Sequence, residues 1–526
     1  MKAGRLSSKL RPNNNTSEEA RVTDIVEEAF AVEVSPTVAE AAPVSRSAPL
    51  GFRIQAIYGS GALVETVINA ALTNFHLIYI TAVCGLSGTL AGASAFAALV
   101  IDAFVDPLVG WSSDNTNTRW GRRHPYMLIA ALPVTIFFGL LFSIPAGFKG
   151  MTLFIYATSI LLCLRFALSA YVVPYMSMGG ELTDDYHGRS IVVAYRHAFG
   201  IIGGLLPVLI GLPLFLRGDN LLTRSAYVPY VWTCAAIVLM GALITCVGSA
   251  DTIALLKRHA RTPGAEKRHL GREIVEVFKN PSFRVLFTCL LIFFIAQGAA
   301  GVLAVHSWKF FWKMPSNVIA ASQIAIPIGS AVGIPIILAL AGWTEKKTIV
   351  LAGQLAFCLV QGVWPLLRIA GVLPPNGTGL YSILIGNAFV AGIVVTALVI
   401  GFQSMMADAA DEHDFRFGVR REGIYFAGLS FSVKVTAGVG VLIAGIALDA
   451  IGFPTQWISA HPHEVVHLAP TVERNLGLIA GPMPALITAV CIAITSFYRI
   501  DRKRHAEIQQ TLAERKRLAA QNPPAG

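Results

Sequence analysis

Predominantly apolar stretches of roughly eighteen residues or more recur along the chain, near residues 56–81, 87–111, 126–147, 151–178, 190–216, 228–250, 284–306, 318–341, 347–370, 379–407, 424–451 and 474–498. Each is long enough to cross a hydrocarbon core about 30 Å thick as an α-helix. Strands of a membrane barrel would instead alternate apolar and polar residues over about ten positions, a pattern these stretches do not follow. The expectation is an all-α integral membrane protein with twelve transmembrane helices. Composition agrees, since 54% of residues are hydrophobic and 14% charged and the mean hydropathy of +0.61 is far above that of soluble domains.

Residues 1–50 differ in kind: they are polar, rich in Ala, Glu, Pro and Ser, and have no apolar core after the basic start. A disordered cytoplasmic tail is expected there rather than a cleavable signal; the alternative is a partner-binding arm built on "TDIVEEAFAVEV". The basic loops orient the spans. With the N-terminus inside, one side collects about 21 Lys and Arg and the other about 7, the asymmetry of cytoplasmic loops. A multi-pass protein of the cell membrane with both termini cytoplasmic follows. The +10 net charge reflects that asymmetry and gives no support to nucleic-acid binding. All seven cysteines fall in or beside predicted spans without a Cys-x-x-Cys pair, so neither a disulfide framework nor a zinc finger fits.

A basic segment, 251–283, divides a six-helix bundle over 51–250 from a second over 284–498, and a cytoplasmic tail runs from 499 to 526. The halves share a motif. "SMGGELTDDYHGR" from Ser177 and "SMMADAADEHDFR" from Ser404 align Glu181 with Asp408, the pair Asp184 and Asp185 with Asp411 and Glu412, and Arg189 with Arg416. Both copies close the fourth span of their half. Two such halves around a central site form the major facilitator architecture.

Ionisable residues inside the spans are costly and face a cavity or a partner. Asp102 and Asp106, one helical turn apart in "DAFVDPLVGWSSDNTNTRWGRRHP", share a face of the second span. Glu65, Arg165, Arg196 and Lys434 complete a set of three negative and three positive charges. The loop after the second span carries Arg119, Arg122 and Arg123, which can pair with helix-end carboxylates in one conformation and release them in another. Cytoplasmic gates are therefore expected from Arg119, Arg122, Arg123, Glu181, Asp184, Asp408, Asp411, Arg416 and Arg420.

"DAFVDPLVGWSSDNTNTRWGRRHPY" resembles the helix 2 to loop 2–3 signature of the glycoside-pentoside-hexuronide:cation symporters, the melibiose-permease group. "DAADEHDFRFGVRREGIYFAGLSFSVK" is similar to that family's loop 10–11 and helix 11, "YGSGALVET" to its helix 1 and "VPYMS" to the end of its helix 4. The resemblance implies a sugar or glycoside carried with Na⁺ or H⁺, with the coupling cation at Asp102 and Asp106. It also implies that Arg196 and Lys434 contact or support the sugar site. The chain departs from the family at four positions: Val172 and Met176 stand where helix 4 has a carboxylate and a sugar-stacking Trp, Thr66 beside Glu65 where helix 1 has an Asp, and Val399 where helix 10 has an aromatic.

Arg165, Ser169, Val172 and Met176 line one face of the fourth span, which places a permanent cation where the resemblance implies cation ligands. Asp102 and Asp106 are its natural partners. The expected cation-coupling residues are Asp102, Asp106 and Ser169; the expected substrate-binding residues are Glu65, Thr66, Arg165, Val172, Met176, Arg196 and Lys434. Protons are expected as the coupling ion rather than sodium, because a carboxylate can titrate without a coordination shell. No P-loop is present, so transport is secondary, by alternating access; no cofactor and no nucleic acid are expected, and a monomer in the bilayer is. The alternatives are an amphipathic or lipid-like cargo, an uncoupled facilitator and, from His463-Glu464-x-x-His467, a zinc hydrolase. That motif lies between Pro462 and Pro470, which leaves barely two helical turns, and no span carries the rest of a metal site.

Overall fold

The computed structural model describes residues 51–116, 118–182, 186–252, 275–418, 422–464 and 466–521. The expected disordered tail over residues 1–50 and most of the central loop over 251–283 lie outside the described residues. One compact unit covers Ser47–Glu514.

Backbone polar groups have no water to bond in hydrocarbon, so the spanning segments satisfy them within helices. The first span, α1, is built from consecutive pieces, Phe52–Ser60, Ala62–Ala71, Leu72–His76 and Tyr79–Val83. The others are α2 (Gly88–Asn115), α3 (His124–Leu141), α4 (Gly150–Glu181), α5 (Tyr186–Ile210), α6 (Arg224–Gly248), α7 (Pro281–His306), α8 (Ser316–Trp343), α9 (Lys346–Ile369), α10 (Thr378–Phe417), α11 (Glu422–Ala450) and α12, whose pieces Pro470–Ala480 and Pro482–Ser496 meet at Gly481. Among the described residues ten helices are long and apolar enough to cross a membrane; α1 and α11 complete the expected twelve. The tail after α12 contains a polar helix, α13 (Arg502–Gln521).

One end of the bundle carries Arg122, Arg123, Lys346, Lys347 and α13 and is here called the basic end; the α1–α2 and α11–α12 connections lie at the far end. At the basic end Asn280 caps α7, its Oδ1 accepting from the amides of Ser282 and Phe283. Its Nδ2 donates to the Ala409 carbonyl and the Tyr425 hydroxyl, each at 3.0 Å, tying α7 to α10 and α11.

Across the halves, α2 runs against α11 through glycines. A Cβ on Gly445 would lie 2.0 Å from the Gly88 carbonyl, and one on Gly92 would lie 2.9 Å from the Leu442 backbone. Small residues allow this close approach where lipid offers no hydrophobic drive. Hydrogen bonds join the halves at the far end. Thr81 of α1 meets the buried His306 of α7 at 2.9 Å, and Ser316 of α8 donates to the Leu216 carbonyl at 3.0 Å. Asp449 of α11 accepts from the amides of Gly88 and Thr89, both at 2.7 Å, and so caps the first turn of α2.

Candidate transport site

At the middle of α2, Asp102 meets Arg165 at the middle of α4, with Nη1 3.3 Å from Oδ2 and both side chains 16% exposed. Same-face reasoning expected this pair. In an apolar span neither charge is tolerable alone, so the pair fixes the azimuth of both helices. Ser169, one turn further along α4, is buried. Asp106 is half-buried on the same face of α2 as Asp102.

A second contact lies nearer the basic end. Arg196 of α5 places Nη1 2.6 Å from the sulfur of Met176 on α4, and Met176 is 41% exposed. Val172 packs against the core. Glu65 and Thr66 are half-buried on α1, and the Thr66 hydroxyl is turned back on the Ala62 carbonyl at 2.8 Å and packs against Gly203 of α5. The side chain of Lys434 lies outside the described residues.

Several residues expected in gates meet in ion pairs at the basic end. Glu181, closing α4, accepts from Arg122 at 3.1 Å and from Arg123 at 2.8 Å. Arg123 also reaches Asp114 at 2.6 Å and the Ser113 hydroxyl at 2.5 Å. In the second half Lys346, opening α9, donates to both oxygens of Asp408 at 2.7 and 2.9 Å. The two pairs occupy equivalent places: a cation at the start of the third helix of each half, an acid in the fourth. The shared motif diverges after that acid. Asp184 lies outside the described residues, as does Arg420, whereas the 40-residue α10 runs on past Asp408 to Phe417. There Arg416 pairs with Glu412 at 2.7 Å. Arg119 is exposed and lies 5.5 Å from the Trp120 ring.

The cluster around Asp408 has further members. His505 of α13 approaches Asp408 at 3.3 Å and Asp411 at 3.6 Å, and Gln509 donates to Asp411 at 2.7 Å. Tyr498 donates to the Met405 carbonyl at 3.1 Å. Burial raises the pKa of that hydroxyl and the carboxylates of Asp408 and Glu412 raise it further, so it remains a donor.

Sequence reasoning missed Asp449, whose only signal was an acid at the far end of a span, and a cavity of about 340 Å³ in the C-half. Its uncharged amides, dispersed over several helices, leave no local motif. His463, Glu464 and His467 lie outside any helix, so the histidines do not share a helical face.

The sequence profile of the family described as "MFS/sugar transport protein" matches residues 57–502. The chain is 25% identical over 546 aligned positions to an uncharacterized symporter of Synechocystis sp., covering 89% of this chain and 97% of that one. It is 25% identical over 453 positions to the isoprimeverose transporter of Lactiplantibacillus pentosus (85% and 89% covered). It is 23% identical over 484 positions to a glucuronide carrier protein homolog of Escherichia coli (90% and 98% covered). Among solved structures, the nucleoside transporter NupG superposes with a TM-score of 0.56 at 15% identity, covering 85% of this chain and 100% of that one. The xylose transporter XylE from E. coli, partially occluded and inward-open, gives 0.50 at 12% identity, with 86% and 98% covered.

Proposed function

The chain belongs to the MFS/sugar transport protein family, and on that premise we propose that it carries a sugar or glycoside across the cell membrane by alternating access, coupled to protons rather than to sodium. It is a secondary transporter and not an enzyme. Relatives named for an isoprimeverose transporter and a glucuronide carrier support a saccharide cargo. The loop charges support a basic end facing the cytoplasm, and on this reading the protein works as a monomer.

The Asp102–Arg165 pair carries the choice of ion. A guanidinium beside Asp102 takes the place of a monovalent metal ion and repels a second cation at short range; it stays charged at any relevant pH. A proton needs no coordination shell, so Asp106 or Asp102 can still take one. Hydrogen bonds between the halves at the far end and ion pairs at the basic end support a reading in which the two ends open in turn. Uptake into proteoliposomes should be unchanged when Na⁺ is replaced by choline, while an uncoupler should abolish accumulation. Strong stimulation by Na⁺ at fixed pH overturns the proton assignment; accumulation that survives the uncoupler points to a facilitator driven by its own gradient.

A further inference from the structure

The C-half cavity opens among α7, α8, α9 and α10, with Thr73 and Asn74 of α1 on its N-half wall. We propose that it is the saccharide-binding subsite and that it selects uncharged glycosides over uronides. The inference rests on the sugar-transport reading above and adds where the sugar binds and which sugars it excludes.

Its volume of about 340 Å³ lies within the range of small-molecule sites, roughly 300–1,000 Å³. Its chemistry is that of a carbohydrate site, which combines apolar platforms with a few directed polar groups. Trp308 and Trp364 supply the platforms, each a broad apolar face with one N–H donor at its edge. Gln297, Gln361 and Asn387 supply amides able both to donate and to accept, as a ring of hydroxyls requires.

These groups are incompletely matched to one another. Gln297 and Gln361 face each other at 3.4 and 3.5 Å, beyond the usual range for N–H···O bonds. Ser322 is 2% exposed, lines the cavity, and its hydroxyl has no hydrogen-bond partner among the described residues. The Gln323 amide nitrogen beside it is likewise unmatched there. Buried polar groups are normally paired, so a polar guest completes the set.

No lining residue is an acid, a base or a histidine. A uronate carboxylate entering the cavity would lose water and gain no cation. The charges sit instead on the N-half, at Asp102 and Arg165. Coupling and recognition are thereby divided between the halves.

Gly301 of α7 offers a clean obstruction. It lines the cavity, and a Cβ added there meets nothing within 4 Å, so the side chain of Gly301→Leu starts into open space. Binding of radiolabelled isoprimeverose, lactose and a phenyl β-glucuronide is measured on the full chain in lipid nanodiscs, with monodispersity and Tm as folding controls. The neutral disaccharides should bind at least tenfold more tightly than the glucuronide, and Gly301→Leu and Trp364→Ala should each weaken them at least tenfold. If Trp364→Ala does not fold, Gly301→Leu carries the test. Saccharide binding by the parent that survives both variants within twofold overturns this subsite and leaves the sugar-transport reading standing. Glucuronide binding as tight as that of the disaccharides overturns the selectivity. No binding of any saccharide by the parent removes the sugar-transport reading and this inference with it.

Discussion

Arg165 cannot shed its charge, so whatever removes its partner leaves a guanidinium stranded in the middle of α4. Breaking such a pair from one side typically costs about 3–5 kcal/mol when fully buried, and less here because both side chains keep some exposure. Asp102→Asn should lower Tm and abolish gradient-driven accumulation; adding Arg165→Gln should restore much of the Tm but not the accumulation, as thermal unfolding and flux assays will show. Arg165→Gln alone leaves the carboxylate without its resident cation, and Na⁺ should then stimulate uptake where it does not in the parent. This pair was legible in the sequence because charges in apolar spans must meet and helical spacing says which face they share. Asp449 was not legible: its partners are backbone amides 360 and 361 residues away in the chain, and a backbone donor has no side chain to announce it.

At the scale of helices, the shared motif aligned Glu181 with Asp408, and each acid is held by a cation opening the preceding helix. Charge reversal at Arg122 should slow turnover severalfold with little change in substrate affinity, because it touches the gate and not the cargo; stopped-flow uptake against equilibrium binding separates the two. Apolar length located the spans but not their interruptions. The break in α1 at Gly61 answers to a neighbour, since a Cβ there would lie 2.5 Å from the Tyr175 ring, a contact between segments more than a hundred residues apart. The motif also failed to show that α10 runs on past Asp408: at 1.5 Å per residue its 40 residues extend about 60 Å, twice the hydrocarbon thickness. That overhang presents Asp411 to α13. Replacing both His505 and Gln509 by Ala should loosen α13 from α10, seen as faster hydrogen exchange over residues 502–514 with unchanged protection in the spans.

The whole molecule is closed at the far end, where the glycine-lined crossing of α2 and α11 is fastened by Asp449. Its carboxylate supplies the role of a helix cap from the opposite half. Losing such a cap is worth roughly 0.5–2 kcal/mol, so Asp449→Ala should move the balance of open and closed forms severalfold towards far-end opening. Alkylation of Cys84, buried at that end, should accelerate correspondingly in a variant where it is the sole cysteine. The two ion pairs at the other end are unequally shielded. Arg123 is 6% exposed on its side of the Glu181 pair, whereas Lys346 is 42% exposed on its side of the Asp408 pair. Dissolved ions screen exposed charges over about 8 Å at physiological strength and reach buried ones far less. Salt in the compartment bathing the basic end therefore loosens one half before the other, so the carrier opens in a fixed order set by its surroundings. Adding KCl on that side of the membrane should raise its turnover, and adding it on the opposite side should not.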